Sequence, residues 1–553
     1  MTNMPTCLLV LGLRQLYPSL VECDPKVLLK DLPVYDVLHY VIERQARVEY
    51  TYSDINAQME LASEMYKYLS LDAKQNLYTV IANNPHQVLF SNMATFPFIM
   101  LALESCDYSF SRSLNDEEIE KVYQAYLYCN DYWSDKQSLG IRPLITTKNL
   151  VGMYLMADVP IVEFKSFKDF RPQLYKAYRL FEFMEKDSMY SAYLKIFLSK
   201  SNVKDWQEYL SCLFSFYHSA ISNPIINVER QDNRFYPFFD SLCIECDKCN
   251  ALWDNHDMNY LRNHPLFKMK GGFYMVLNAN LLVDRLYQCL KFNIYDAIKG
   301  TGVDVNRKGK TIKDCGSFLG MLGEDFSESQ VFYSIMHKIF DGIADVVLDG
   351  MTMKNENVHA EPDFYVRIGR KVFLFEYKDN SISDDIKYSE DYQIVRDALL
   401  SRICFDDGNT RKGVGQLLNS INEIVNSSSL NALDSEAKSA DCYYPIVVTT
   451  DRVFSSLGVQ NILVEQFNTI VKNWTIPAFV RIPMVLDLDT LIVMSKRVHD
   501  KTISFLDLIE EYLNVNELKL SSFETFYTDK YRDLKQMNVE DVKFLYGEMF
   551  AAM

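Results

Sequence analysis

Residues 362–378 read PDFYVRIGRKVFLFEYK, two apolar runs on either side of Gly369-Arg370. A two-residue loop with glycine first suits the primed turns that close β-hairpins. A hairpin closed there sets Ile368 opposite Lys371, Phe364 opposite Phe375, Asp363 opposite Glu376 and Glu361 opposite Lys378. Directly opposed side chains have Cβ atoms about 4.5–5.5 Å apart, and like charges so placed are destabilising. Side chains alternate along a strand, so Glu376 and Lys378 share one face while Phe375 and Tyr377 take the other. Two carboxylates and a lysine therefore meet on one side of an otherwise apolar hairpin.

A divalent cation shared by Asp363 and Glu376 offsets the repulsion economically. Mg²⁺ takes oxygen ligands, commonly one or two carboxylates with waters and phosphate oxygens. Such an ion acidifies a bound water and neutralises charge on a phosphate under attack. Lys378, on the same face, can orient that water and stabilise developing negative charge. The pattern reads as a metal site for phosphodiester hydrolysis. A hairpin whose polar face only meets water is the alternative that spacing leaves open.

Pro362-Asp363, twelve intervening residues, then Glu376-Tyr377-Lys378 resemble the signature of the PD-(D/E)xK nuclease superfamily, the restriction-endonuclease-like fold. The resemblance implies a Mg²⁺- or Mn²⁺-dependent nuclease with DNA favoured over RNA as substrate. It also implies an acidic residue on the helix before the sheet. Glu328, in a helix expected over about 327–340, takes that place as a third metal-shell carboxylate beside Asp363 and Glu376. A Gln or Lys on the helix after the core strands is a further family feature. RKGVGQLLNSI supplies Lys412 and Gln416, read as an i, i+4 pair on one helical face. YYPIVVTTD fits the strand that completes the sheet. Within this family, a bacterial defence or mobile-element effector is one setting. An RNase of the same fold, or a scaffold that retains a nuclease-like domain without catalysis, are the competing expectations.

The chain is 553 residues long, too long for one hydrophobic core. Residues 1–263 read as a succession of amphipathic helices. In NDEEIEKVYQAYLYC, Asn115 is the expected N-cap, and Ile119, Val122, Tyr123, Tyr126 and Leu127 recur at helical spacing. SNVKDWQEYLSCLFSFYHSA repeats the pattern with Trp206, Tyr209, Leu210, Leu213, Phe214 and Tyr217. Residues 264–300 predict two short strands around Lys270-Gly271-Gly272 and a connecting helix. Residues 301–510 alternate helix, strands, helix, strand and then helices, an α/β order with a mixed sheet. Residues 511–553 form a helical tail. The expected fold is thus an N-terminal α-helical domain followed by a restriction-endonuclease-like α/β domain.

The formal charge is −17, and neither half is basic: residues 301–553 hold 27 Lys and Arg against 39 Asp and Glu, residues 1–300 hold 30 against 35. Bulk attraction to nucleic acid is excluded, since phosphate contacts come from Lys and Arg. A nucleic-acid site must be local, and the acidic balance suits an enzyme gated by a partner, a second copy of the chain or a signal, with the helical half as the docking region. No apolar run approaches the roughly 20 residues that span a bilayer, and no basic leader precedes a cleavage site, so a cytoplasmic, membrane-free protein is expected. Cys243, Cys246 and Cys249 in CIECDKC, with His256 and His264 downstream, lack the paired Cys-x2-Cys arrangement of zinc sites and read as free thiols. No phosphate-binding Gly-rich loop is present.

Overall fold

The computed structural model describes residues 9–20, 22–48, 54–164, 168–228, 233–255, 258–379, 381–404, 412–427, 429–472, 479–515, 519–531 and 539–547. Its central feature is a mixed sheet of five strands: β1 (Val346–Asp349), β2 (Phe364–Ile368), β3 (Lys371–Lys378), β4 (Cys442–Thr449) and β5 (Met484–Asp487), in the order β5-β4-β3-β2-β1. β1, β2 and β3 pair antiparallel, while β3, β4 and β5 run parallel.

The hairpin has the expected register, with Phe364 opposite Phe375 and Ile368 opposite Lys371. Gly369 has φ +57, the backbone that the turn requires and that glycine adopts without a Cβ clash. β2 starts at Phe364, so the expected partners Asp363 and Glu361 lie outside its ladder, while on its other edge β3 pairs Lys378 with Thr449 of β4. The alternation of β3 and β4 divides their side chains between two cores. Phe373, Phe375, Tyr377, Tyr444, Ile446 and Val448 enter one. Val372, Leu374, Tyr443 and Val447 enter the other, beneath the helix Val414–Asn426. Strands buried on both faces read as continuous apolar runs, which explains KVFLF and YYPIVV.

The first helices form as their patterns require. Asp116–Thr146 is one helix, with Asn115 and Glu118 in a reciprocal capping box, and its five expected apolar residues are buried. Trp206–Ser222 starts after Asp205, and Phe214 departs from the expected face by being exposed. Strands Leu266–Lys268 and Phe273–Val276 flank the anticipated glycine turn, and an unanticipated third strand, Ile225–Asn227, pairs with the second of them. One core draws on both sides of residue 263, uniting Leu174–Tyr217 side chains with the sheet. Among the described residues, no helix is long and apolar enough to cross a membrane.

Three local expectations are corrected. The helix expected over 327–340 begins earlier and is interrupted: Cys315–Leu322 is α-helical, Gly323–Phe332 is π-helical and Tyr333–Phe340 is α-helical. Lys412 is not on a helical face with Gln416, because the helix starts at Val414 after Gly413, whose φ is +54. β5 lies in a stretch read as helical.

Candidate functional site

Asp363 stands just before β2, and its carbonyl accepts the Gly350 N–H at 2.8 Å. Its Oδ2 accepts the Tyr377 N–H at 2.7 Å, which ties it to the strand carrying Glu376. Glu376 Oε1 accepts from Lys378 Nζ at 2.6 Å, and Lys378 Nζ also donates to Gln416 Oε1 at 3.1 Å. Gln416 Oε1 in turn accepts the Gly413 N–H at 2.9 Å, so the helix start fixes the amide that holds the lysine. Glu328, in the π-helical segment, accepts from the Tyr333 hydroxyl.

Electrostatics join these groups. Burial pushes the Asp363 carboxyl well above the usual carboxylate range, and the nearby Glu376 and Glu328 push it further. Burial also raises Glu376, opposed chiefly by Lys378, with Glu328 adding to the rise. Glu376 is only 2% exposed and the Lys378 side chain 15%. Buried like charges on this scale are costly without a counter-ion.

Of the six residues singled out from the sequence, Asp363, Glu376, Lys378, Glu328 and Gln416 are brought together. Lys412 precedes the helix, and its carbonyl accepts the Gly415 N–H. Among the described residues, no three His, Cys, Asp or Glu side chains stand ready-made as a metal site. Each of the three carboxylates is turned toward a protein donor. The donor set is nonetheless all carboxylate oxygen, with two acids buried against each other, which fits a hard divalent ion.

Cys243 Sγ and Cys249 Sγ donate to the carbonyls of Phe239 and Glu245, and Cys246 is exposed. His264 Nδ1 lies 3.0 Å from the Tyr260 carbonyl, while His256 lies outside the described residues.

A cavity of about 910 Å³ opens where β3, β4 and β5 end, lined by Glu328, Tyr377, Asp379, Thr450, Asp487 and Lys176 among others. Asp487 caps the helix Leu488–His499 through Thr490. Burial, then Glu524 and Asp489, push its carboxyl up to about 7 from 3.8. Because the folded value is the raised one, the unfolded chain loses this proton first, and stability falls as pH rises from about 4 to about 7. Asp487→Asn keeps a capping side chain. It is expected to stabilise the fold by up to about 4 kcal/mol at pH 8 and to leave it unchanged near pH 3, as read by denaturation at both pH values.

Tyr333 and Gly350 are the site residues that sequence reading missed. Tyr333 is five residues from Glu328, which no α-helical period places on the same face. No family model, curated protein or solved structure matches the chain.

Proposed function

We propose that this chain is a divalent-metal-dependent nuclease of the restriction-endonuclease-like class, with DNA the favoured substrate and its activity gated. The observation that carries the reading is the hydrogen-bonded set of Glu376, Lys378 and Gln416, with Asp363 held to the Tyr377 N–H beside it and Glu328 near enough for its charge to raise both buried carboxyls. The order of helix, three antiparallel strands, helix and parallel strand is the one the motif calls for.

In this reading Asp363, Glu376 and Glu328 hold Mg²⁺ or Mn²⁺. When bound, the ion supplies Lewis acidity and an acidified water. Lys378, fixed between Glu376 and Gln416, orients the attacking water and stabilises charge on the phosphate oxygens. Gln416 keeps the ammonium on that face. Tyr377 N–H holds Asp363 at the strand edge, next to its opposed carboxylate. Water as nucleophile makes the 2′-hydroxyl unnecessary, which suits DNA.

Gating is supported by burial and pairing. The three carboxylates and the lysine are mutually or internally satisfied. A phosphodiester reaches them only when these contacts loosen, which the chain alone does often enough for slow basal cleavage; a partner, a second copy of the chain or a signal bound to the helical half would raise that fraction.

The test is incubation of the full chain with labelled single-stranded DNA, duplex DNA and RNA in Mg²⁺, Mn²⁺ or EDTA. Metal-dependent DNA cleavage is the expected result. Cleavage of RNA alone would move the enzyme to the ribonucleases, and metal-independent cleavage would refute the mechanism.

A further inference from the structure

The π-helical segment has a consequence for the same site. Its i→i+5 bonding places the Tyr333 N–H on the Glu328 carbonyl, and the Tyr333 hydroxyl donates to Glu328 Oε1. In an α-helix, residues five apart point about 140° away from each other, given 3.6 residues per turn. The π turn brings them to one face, and such turns recur at functional sites.

Packing keys this segment to both motif strands. Phe332 stacks on Tyr377 at 4.8 Å and 8°, between Glu376 and Lys378 in the chain. Tyr333 packs on Phe364, next to Asp363, at 6.0 Å. Gly350 completes the arrangement: a Cβ there would lie 2.9 Å from the Tyr333 hydroxyl and 3.2 Å from the Asp363 carbonyl oxygen. The hydroxyl thus occupies space that only glycine leaves, between Glu328 and the strand bearing Asp363. Tyr333 is 8% exposed, so water competes poorly for this hydrogen bond.

We infer that Tyr333 is a positioning residue, which holds the Glu328 carboxylate toward Asp363 and Glu376 through the π turn and a cleft left by Gly350. The inference rests on the nuclease reading for its chemistry, and it assigns Tyr333 no contact with substrate. Outer partners of metal-binding side chains typically contribute about 10–100-fold in affinity or activity.

Tyr333→Phe keeps the ring and removes the hydroxyl. Calorimetric titration of Mn²⁺ into the full chain and cleavage of single-stranded DNA are measured together, beside Glu328→Ala and the double variant. The expected result is a 10–100-fold loss in Mn²⁺ affinity and in kcat, with KM for DNA and the thermal midpoint unchanged. The double variant should be no worse than Glu328→Ala alone, because Tyr333 acts through that carboxylate. Gly350→Ala, which reaches the hydroxyl from the other side, should lower Mn²⁺ affinity as well. Wild-type Mn²⁺ affinity in Tyr333→Phe, or additive losses in the double variant, would overturn the inference while leaving the nuclease reading intact. Mn²⁺ binding without cleavage by the wild type would sink the nuclease reading, and the affinity of Tyr333→Phe would still decide this one. Absence of Mn²⁺ binding by the wild type would overturn both.

Discussion

Glu376→Gln should reduce metal-dependent cleavage on the order of 10³-fold, above the roughly 10–100-fold typical of an outer partner, because it removes a charge that faces the ion directly. The same change should not destabilise the fold. Burial raises the Glu376 carboxyl, opposed chiefly by Lys378, and the charge of Glu328 adds to the rise. An uncharged amide of equal size relieves that repulsion while its oxygen still accepts from Lys378 Nζ, now 2.6 Å from Glu376. Loss of activity with an unchanged or higher denaturation midpoint is the signature of a site that sacrifices stability for function. A lower midpoint together with full activity would mean that Glu376 serves the fold. Cleavage assays and denaturation of the same preparation read both quantities.

Asp284→Ala should destabilise the chain by about 3–5 kcal/mol, the cost of leaving a buried charge without its partner. Lys168 Nζ lies 2.6 Å from Asp284 Oδ1, with side chains 7% and 4% exposed. Burial drives the Lys168 ammonium below its ordinary range, and Asp284 is the foremost group opposing that. Arg262 Nε is 3.6 Å from the other carboxylate oxygen and also pairs with Glu163, which Lys387 reaches at 2.6 Å. The network therefore ties Glu163, Lys168 and the helices that carry Arg262 and Asp284 to Lys387, which follows β3. Lys168→Met combined with Asp284→Ala should recover most of the loss, since no unpaired charge then remains. Urea denaturation of the single and double variants measures it. Equal midpoints for wild type and Asp284→Ala would show that the pair contributes nothing.

The hairpin was legible because its turn and its alternation are both local. Gly369-Arg370 fixes the register up to Phe364 opposite Phe375, and Asp363, one residue before the strand, reaches the N–H of Tyr377 next to Glu376. Gln416 was legible as a residue of the helix that follows, and it does reach Lys378. Lys412 was misplaced because i, i+4 spacing was carried through Gly413, where positive φ and the close Ile403 carbonyl break the helix. Tyr333 was hidden for a different reason. Its relation to Glu328 depends on π-helical winding, and no sequence period of 3.6 announces that. β5 was missed because MVLD is four residues long, flanked by further apolar residues, and becomes a strand only by pairing with β4. The shared core between Leu174–Tyr217 and the sheet is long-range packing, which local patterns do not encode.

The most direct test of a metal centre at Asp363, Glu376 and Glu328 is calorimetric titration of Mn²⁺ into the folded full chain beside Asp363→Asn. Binding by the wild type that is lost in the variant is the expected result. No binding by the wild type, or equal binding by both chains, would contradict it.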